Sequence, residues 1–417
     1  MRKKYDIIVC GGGFAGSAAA IAAARSGASV LLIEKSGFLG GAAGNCLVNP
    51  FMPFTTTIDG QYVRLSAGIF SDIIDLLGEM GALAADGVVF NGEILKLILD
   101  RLVSGSGAGV IFHTRIISAE KENGAVKSLR CVNASGESEY FADVFIDATG
   151  DANVAAMAGC PFMLGREGDN LCQPMTLCFD LANVDVDRAF KDKKAINALY
   201  AEKREIGEIK NPRGDILYMR HAAKDVLHIN STRIIKKSPV NAEDLSFAER
   251  EAREQMYELY MFLKNNFDAF KNSVLLASGP EIGIRESRRI DGMYTLTTED
   301  LKACVKFDDG IAACNYDIDI HDPAGSGTSH YYFKEGTYYT IPYRCLVPKK
   351  ADNLLVAGRC ISGTHEAQAS FRIMPVCCTL GEAAGTAAAL ALKNGSAVGN
   401  IDTDELRAVL KSNGAFL

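Results

Sequence analysis

A glycine-rich turn, Gly11–Gly16 (GGGFAG), lies between an apolar run, Tyr5–Cys10, and a long alanine-rich run. In a strand–turn–helix unit, Gly11 permits the tight turn and Gly13 lets the backbone approach a pyrophosphate. Gly16 lets the helix pack close to the sheet. The start of the helix supplies free N–H groups and partial positive charge to phosphates. This spacing predicts a dinucleotide-binding turn.

The residues after the turn have the pattern that such a unit requires. The alanine-rich run predicts a helix, and a second apolar strand follows it and ends at Glu34. A carboxylate at this place can accept hydrogen bonds from ribose hydroxyls. A GxGxxG sequence alone also fits a purely structural glycine turn. The strand, helix and acid around this one favour dinucleotide binding over that alternative.

Composition limits the classes of protein that the chain can belong to. The 417 residues suggest about two to three domains, and the net charge of −7 comes with scattered basic residues. No basic stripe is present, so we expect no nucleic-acid partner. The 12 cysteines show no CxxC and no Cys/His cluster with zinc spacing, so we expect no metal site and reduced, buried thiols.

Two hydrophobic segments could be mistaken for membrane or export signals. The N-terminal run is interrupted by Asp6 and is too short for a signal peptide. The stretch 376–392 is rich in alanine and glycine and contains Glu382, which suits a buried helix better than a membrane span. We therefore expect a cytoplasmic protein without membrane contact.

The order of the predicted elements indicates an α/β protein built from a discontinuous domain and an insertion. Residues 1–158 and 342–417 carry the βαβ unit, further strands and a last small-residue helix. Residues 159–341 alternate strand patterns with polar helical ones. We predict a Rossmann-like parallel sheet flanked by helices, with an inserted α+β substrate domain, or cap, at 159–341.

Further motifs follow the first turn in order. They are Gly40-Gly41, IDATGDA (146–152), NLLVAGRCIS (353–362) and FRIMPVCCTLGEAAGTAAALAL (371–392). With the GGGFAG turn and Glu34, they resemble the flavoprotein superfamily that includes fumarate reductase-like and glutathione reductase-like enzymes. GIRESRRI (283–290) and IPYRCLVPK (341–349) are similar to phrases of a bacterial group of FAD-dependent oxidoreductases of undefined substrate. The resemblance implies FAD as the cofactor and oxidoreduction as the activity.

The turn and the resemblance together predict the residues that contact the cofactor. Pro375 is well placed to begin the last helix, so the positive end of that helix would lie at 372–374 and, by resemblance, face the pyrimidine end of the flavin. The predicted set is Gly11, Gly13, Phe14, Ala15, Gly16, Glu34, Lys35, Gly40, Gly41, Ala42, Ala43, Ile116, Ala148, Thr149, Gly150, Gly358, Arg359, Arg372, Ile373 and Met374.

One branch of the superfamily is disfavoured by what the chain lacks. No second GxGxxG occurs with a strand, helix and acid around it, so a separate NAD domain is not expected. Disulfide reductases of the superfamily carry a Cys-x4-Cys after the Gly-Gly pair. Here Cys46 stands alone, with Phe51 at the partner position.

The candidate catalytic residues are Arg285, Arg289 and His365. Arginine suits a carboxylate because its planar fork binds two oxygens, and by resemblance such arginines hold substrates. If 282–290 is a strand, Arg285 and Arg289 share one face; ion pairing with Glu281 and Glu286 is the alternative. His365, predicted in a loop before the last helix, would handle a proton.

We therefore expect an enzyme that moves a hydride between flavin N5 and a small, anionic organic substrate, with an unknown electron acceptor or donor. Two alternatives stay open at this point. One is a flavoprotein whose FAD does no net redox chemistry, such as an isomerase, hydratase or biosynthetic scaffold. The other is a nicotinamide-dependent dehydrogenase without flavin.

Overall fold

The computed structural model describes residues 4–417. The strands are β1 (Lys4–Cys10), β2 (Val30–Ile33), β3 (Thr55–Ile58), β4 (Gln61–Arg64), β5 (Gly109–Ile111), β6 (Arg115–Glu122), β7 (Ala125–Asn133), β8 (Gly136–Asp147), β9 (Phe162–Leu164), β10 (Phe179–Ala182), β11 (Tyr218–Arg220), β12 (Leu227–Ile229), β13 (Val274–Ser278), β14 (Arg288–Ile290), β15 (Gly310–Cys314), β16 (Ile318–His321), β17 (Thr328–Tyr331), β18 (Tyr339–Pro342) and β19 (Leu354–Val356). The helices are α1 (Phe14–Arg25), α2 (Ala42–Asn45), α3 (Ile69–Glu79), α4 (Gly92–Gly105), α5 (Asn153–Met157), α6 (Val186–Lys191), α7 (Lys193–Glu205), α8 (Ala242–Asn266), α9 (Thr298–Lys302), α10 (His365–Phe371), α11 (Met374–Asn394) and α12 (Thr403–Ser412).

The central sheet has the parallel core that the sequence predicts. Strands β5, β2, β1 and β8 lie side by side in parallel, and β19 adds to β8 in the same direction. Cys10 and Val356 both pair with Asp147, so three of these strands end at the same edge. This parallel core confirms the α/β, Rossmann-like fold class. Ligands of such sheets bind beyond the carboxyl ends of the strands, so this edge is where a cofactor is expected.

The two faces of this sheet are covered differently. Helices α1 and α11 pack on one face, where Ile7 and Val9 are fully buried. The other face is covered mainly by the antiparallel ribbon β6–β7, through Val126 and Leu129, together with the short helix α5. The expected second layer of helices is thus largely replaced by strands. Burial on both faces explains the nearly unbroken apolar runs of β1 and β2.

A second hydrophobic cluster lies within 175–282. Its sheet, called the cap sheet below, has the order β11-β12-β10-β13, and residues of α6, α7 and α8 contribute to the same cluster. Residues 296–347 belong instead to the core of the first sheet. The division at 158/159 and 341/342 stays a prediction, and this clustering places the separate core in the first two thirds of the predicted insertion.

Several predicted elements are shorter than expected. Only Arg288–Ile290 forms a strand within 282–290, so the alternation argument that placed Arg285 and Arg289 on one face was wrong. His365 is the first residue of helix α10 rather than part of a loop.

Helix α11 is the small-residue helix expected near the C-terminus. By length and composition it is the one helix within 4–417 that could cross a membrane, but 94% of its apolar window is buried inside the protein. It packs tightly on α1, because a Cβ added at Gly381 would lie 2.0 Å from the carbonyl oxygen of Ala15. This contact fixes the start of α1 against the second turn of α11.

Replacing Gly381 with alanine should therefore push α1 away from α11. We expect a loss of about 1–3 kcal/mol in the free energy of unfolding, as for other overpacked cores, together with reduced retention of the nucleotide at the start of α1. Urea unfolding measures the first effect. Gly78→Ala is the control, because its new Cβ meets open space on α3 and should stabilise by up to about 1 kcal/mol. Equal behaviour of the two variants would contradict this packing argument.

A buried carboxylate joins α11 to the start of α3. Glu382 is 2% exposed and accepts a hydrogen bond of 2.9 Å from the backbone N–H of Ile69. Burial raises the pKa of Glu382 to about 7, although the bond from Ile69 opposes the shift. The unfolded chain releases this proton near its ordinary pKa of about 4.3. The folded state therefore binds more protons between these values, and this site loses stability as the pH rises through that window.

Glu382→Gln should remove this pH dependence. Between about pH 5 and pH 8, the wild type should lose stability relative to the variant, because only the wild type must ionise a buried group. Urea midpoints at both pH values measure the difference. Glu79→Gln, at the exposed end of α3, is the matched control and should follow the wild type. Parallel pH profiles for wild type and Glu382→Gln would refute the assignment.

Candidate functional site

The first glycine turn lies at the carboxyl end of β1, as predicted. Gly11 has a φ of +95°, a left-handed conformation that favours glycine. Gly13 is the N-cap of α1, no side chain caps this end, and the first turn contains no acidic residue. The first N–H groups of a helix have no intrahelical acceptor, so this end of α1 offers hydrogen bonds and positive potential to phosphate groups.

Two glycine pairs bring backbone segments into contact around this turn. A Cβ on Gly16 would lie 1.7 Å from the carbonyl oxygen of Gly11, which holds the helix against the strand end. A Cβ on Gly41 would lie 2.8 Å from the Cα of Gly13. The N–H of Gly40 donates to the carbonyl oxygen of Gly12 at 2.8 Å. A backbone-lined cradle thus forms between the turn and the loop that enters α2, where Ala42 and Ala43 lie.

Glu34 lies where a ribose-binding acid is expected, beyond the end of β2. It is 6% exposed, and its carboxylate accepts hydrogen bonds from the N–H groups of Gly12 and Ser36. The carboxylate therefore also ties the glycine turn to the second strand. The neighbouring Lys35 forms an ion pair with Glu281 at 2.7 Å, which links this corner to the segment that follows the cap sheet.

The third and fourth motifs meet beside the same edge. Buried Asp147 accepts from the N–H and hydroxyl of Thr149 and so shapes the turn after Ala148. Arg359, which follows Gly358 and β19, pairs with Asp151 at 2.6 Å. A Cβ on Gly150 would lie 3.1 Å from the Arg359 Nε atom.

Ile116 lies in β6, and the chain just before it contacts the ribose corner. The N–H of Thr114 donates to the Glu34 carbonyl oxygen at 3.0 Å. Ile116 therefore follows by two residues Thr114, whose backbone contacts the backbone of the predicted ribose-binding acid Glu34. Its role in binding the cofactor stays a prediction.

The start of α11 forms a second uncapped helix terminus. Ile373 is the N-cap, no side chain caps it, and Met374 and Pro375 form the first turn. The thiol of Cys377 lies near Gly358, about 4.0 Å from where a Cβ of that glycine would be. Both uncapped termini, of α1 and α11, therefore belong to one region of the molecule, since α1 and α11 pack against each other.

Two arginines from different segments, Arg285 and Arg372, repel each other and share too little negative charge. Arg285 Nη1 donates to the carbonyl oxygen of Pro174 at 2.7 Å and to the hydroxyl of Thr176, and Nη2 donates to Asn230 Oδ1 at 3.3 Å. No carboxylate within residues 4–417 lies at salt-bridge distance from this guanidinium. Burial, reinforced by repulsion from Arg372, lowers the pKa of Arg285 to about 9.

Arg372 is the second member of this pair, called the arginine pair below. Its Nη2 donates to the carbonyl oxygen of Asp319 at 3.1 Å, whereas its buried Nη1 has no hydrogen-bond partner in the described chain. Burial alone would raise the pKa of Asp319, but His321, Arg372 and Arg285 lower it far below the ordinary range. Arg372 forms an ion pair with Asp319 at 3.5 Å, and Asp319 Oδ1 is itself without a hydrogen-bond partner in the described chain. Two guanidiniums against this one carboxylate leave an excess of positive charge and an unused donor, which favours an anion.

Arg289 and His365 lie in a separate, inner cluster. Arg289 donates to Glu286 through Nη1, to the Gly363 carbonyl oxygen through Nε at 2.9 Å and to the Gly165 carbonyl oxygen through Nη2 at 2.8 Å. His365 Nδ1 lies 2.8 Å from the Glu286 carboxylate, which is fully buried. For Arg289 this geometry favours the ion-pairing alternative. For His365 it provides a partner that orients the ring.

The residues that support these side chains are not predicted by the sequence. Thr176 and Asn230 hold Arg285, Glu286 holds Arg289 and His365, and Asp319 faces Arg372. The alternation of polar and apolar residues in TLCFDL (176–181) could have indicated a sheet with one polar face. Nothing in the local sequence relates Asp319 to Arg372, because 53 residues separate them.

Comparison with known proteins agrees with this geometry. The family model described as FAD dependent oxidoreductase matches residues 6–410. A digeranylgeranylglycerophospholipid reductase of Methanoculleus marisnigri is 30% identical over 172 residues, which cover 38% of this chain and 42% of that protein. A dihydrolipoyl dehydrogenase of Acholeplasma laidlawii is 33% identical over 156 residues, covering 37% of this chain and 43% of that one.

Both curated relatives are thus matched over less than half of their own length. Among solved structures, a geranylgeranyl bacteriochlorophyll reductase-like protein from Thermoplasma acidophilum aligns over 99% of this chain and 84% of its own. The TM-score is 0.50 and the sequence identity is 14%. At this identity the likeness shows the fold alone. The glycine cradle and the uncapped helix termini fit the phosphates and ring of an FAD, which is the cofactor of the matched family.

Gly41→Ala tests the cradle directly. The new Cβ would meet the Gly13 backbone at a φ of +53°, so the loop must move away from the turn. We expect FAD affinity to fall by about tenfold or more, measured by flavin retention and by titration of the apoprotein. Gly60→Ala, at a φ of +76° in the β3–β4 turn with open space around it, carries similar backbone strain. It should keep FAD, and equal losses in both variants would count against the cradle.

Proposed function

This chain belongs to the family of FAD-dependent oxidoreductases, and on that premise we propose that it oxidises or reduces a small organic acid. Bound FAD supplies hydride exchange at its N5 atom. The protein must hold the substrate, keep water away and handle protons. The observation that carries the proposal is the arginine pair, Arg285 and Arg372, with its excess positive charge and unused Nη1 donor.

The arginine pair is suited to a carboxylate. A carboxylate placed between the two guanidiniums would take up the unused donor of Arg372 and relieve the repulsion that lowers the pKa of Arg285. Arg285 is held in place by three neutral acceptors rather than by an acid. Its charge therefore stays available to a ligand, unlike that of Arg289, which is used by Glu286.

The start of α11 would act on the cofactor side of the same site. Its N–H groups and helix dipole favour negative charge near Ile373 and Met374. Arg372 precedes this helix terminus directly, so one short segment would contact both the cofactor and the substrate anion. We extend the predicted role of Arg372 in this way, from cofactor binding to binding of the carboxylate as well.

His365 is the proposed proton-handling residue. Its Nδ1 lies beside the Glu286 carboxylate, which favours the tautomer with the proton on Nδ1. The other ring nitrogen, Nε2, is then the atom that exchanges a proton with a ligand. The ring is 5% exposed, so the surrounding protein limits the access of bulk water.

The family match favours the oxidoreductase over both alternatives considered above. A nicotinamide-dependent dehydrogenase without flavin does not fit a family model that spans 6–410 and is FAD dependent. A flavoprotein without net redox chemistry would not belong among oxidoreductases. We further propose a cytoplasmic enzyme whose cap, centred on the cluster within 175–282, covers the substrate. The electron acceptor or donor is a partner still to be identified.

Arg285→Ala tests the proposal. The FAD-loaded variant should retain its flavin but bind short carboxylates about a hundredfold more weakly, because a charge-assisted two-point contact is worth about 2–3 kcal/mol. Shifts of the flavin absorbance during titration with hydroxy and keto acids give the dissociation constants. Anaerobic bleaching with the same acids reports electron transfer.

Arg285→Lys and Arg220→Ala complete this experiment. The lysine variant keeps the charge without the fork and should recover part of the affinity. Arg220 is exposed on β11, the edge strand of the cap sheet, and is paired with Asp187, so its loss should change nothing. Wild-type affinity for every acid in Arg285→Ala would overturn the carboxylate site.

A further inference from the structure

One face of the cap sheet is polar although it is buried. The other face packs into the helices through alternate residues, namely Leu177, Phe179, Leu181, Leu227 and Ile229. The residues between them form the polar face, and each is at most 7% exposed: Thr176, Cys178, Asp180 and His228. Polar side chains enclosed in this way require partners. One of them, His228, has a ring nitrogen without a partner.

His228 has one satisfied and one unsatisfied ring nitrogen. Its Nδ1 lies 2.7 Å from Asp180 Oδ1. The buried Nε2 has no partner with hydrogen-bond geometry among residues 4–417, although the thiol of Cys178 is near enough to interact weakly with the ring. Burial lowers the pKa of His228, but Asp180 and Cys178 outweigh burial and raise it to about 9. The ring is therefore protonated at neutral pH and Nε2 carries a proton. The other titratable group nearby is His221, whose own pKa is lowered by burial.

His228 lies close to the arginine pair. Asn230, which accepts from Arg285 Nη2, is two residues beyond His228 in the same extended segment. Side chains two residues apart in such a segment share a face and are separated by roughly 7 Å. Cys178 lies on the adjoining strand segment, and its carbonyl oxygen accepts a hydrogen bond from the N–H of Gly279. Gly279 in turn packs on Cys46, the residue that follows α2, because a Cβ on Gly279 would lie 3.0 Å from the Cys46 backbone. The polar face therefore borders both the arginine pair and the cofactor loop.

We propose that His228, oriented by Asp180, is a second substrate-binding residue, whose Nε2–H donates to an oxygen of the substrate remote from the carboxylate held by the arginine pair. This inference rests on the proposed function and deepens it. A protonated imidazole with an unused, buried N–H gains a full charge-assisted hydrogen bond when an oxygen arrives. Asp180 keeps the ring charged and fixes its orientation. The thiol of Cys178 is too weak an acceptor to replace that oxygen.

The spacing of the two binding points defines the class of substrate. The strand repeat separates the side chains of His228 and Asn230 by roughly 7 Å, and Asn230 accepts from Arg285. An acid of about three to five carbons, with a carboxylate at one end and an oxygen acceptor at the other, spans a distance of this order. A second carboxylate is the strongest acceptor for a protonated imidazole. A short dicarboxylate is therefore the best probe of both points at once.

The experiment compares matched pairs of acids on the FAD-loaded protein. The dicarboxylates are malonate, succinate and glutarate, and each has a monocarboxylate partner of equal carbon number, propionate, butyrate or valerate. Flavin absorbance shifts and calorimetry give the dissociation constants without requiring turnover. We expect at least one dicarboxylate to bind about tenfold or more tightly than its partner. His228→Gln should abolish that preference while leaving monocarboxylate affinity within about twofold.

The pH dependence provides a test that a structural role of His228 would not pass. In the wild type, the preference should hold at neutral pH and disappear as the pH rises through about 9. Asp180→Asn should move this loss to lower pH, because the carboxylate that keeps the ring charged is gone. Flavin content and the unfolding temperature show whether each variant is folded. The wild-type titration tests the inference even if a variant is not.

The outcomes separate this inference from the proposed function. If no dicarboxylate binds the wild type more tightly than its partner, or if His228→Gln keeps the preference, the second binding point is wrong and the arginine pair is unaffected. If Arg285→Ala binds both classes of acid as tightly as the wild type does, the carboxylate site at the arginine pair is wrong, and the proposed function is wrong with it. Both binding points are supported if Arg285→Ala binds monocarboxylates and dicarboxylates more weakly and His228→Gln loses only the preference for dicarboxylates.

Discussion

Contacts between backbone atoms at the start of α1 determine where everything else can lie. Gly16 brings the helix against the carbonyl oxygen of Gly11, and Gly381 brings α11 against the carbonyl oxygen of Ala15. No side chain larger than hydrogen fits at either contact. Consequently α1 is held between the sheet and α11, and its uncapped start has a fixed position relative to the uncapped start of α11. The cofactor site is built between these termini.

The cap supplies what this arrangement lacks, a polar surface that faces inward. Antiparallel strands place alternate side chains on opposite faces, so the same segment buries Leu177 and Phe179 among helices while directing Cys178 and Asp180 to the other side. Buried polar side chains are costly unless they are paired. Many here are paired. Among the buried atoms without a partner in 4–417, His228 Nε2 in the cap and Arg372 Nη1 outside it are donors that a ligand oxygen could satisfy, whereas Asp319 Oδ1 is an acceptor.

Charge is distributed differently in the two arginine environments of the GIRESRR segment. Arg289 is neutralised by Glu286 and holds Gly165 and Gly363 through hydrogen bonds, which fits a role in joining segments of the chain. Arg285, four residues earlier, contacts only neutral acceptors. Identical side chains thus have different functions because one is next to a carboxylate. That difference decides which of them can bind an anion.

The sequence by itself determined the parallel sheet, the glycine turn and the last helix, because each depends on residues within about 30 positions and on a local period or a missing Cβ. It also indicated the flavin cofactor through motifs in order. Only the tertiary structure decided that Arg285 and Arg372 interact electrostatically, that Glu286 forms an ion pair with Arg289, and that Asp180 orients His228. Arg285 and Arg372, like Asp180 and His228, are far apart in the sequence. Glu286 and Arg289 are close in sequence, but they pair where the strand predicted at 282–290 is interrupted. Pairing of charges depends on distance in space, which no local pattern specifies.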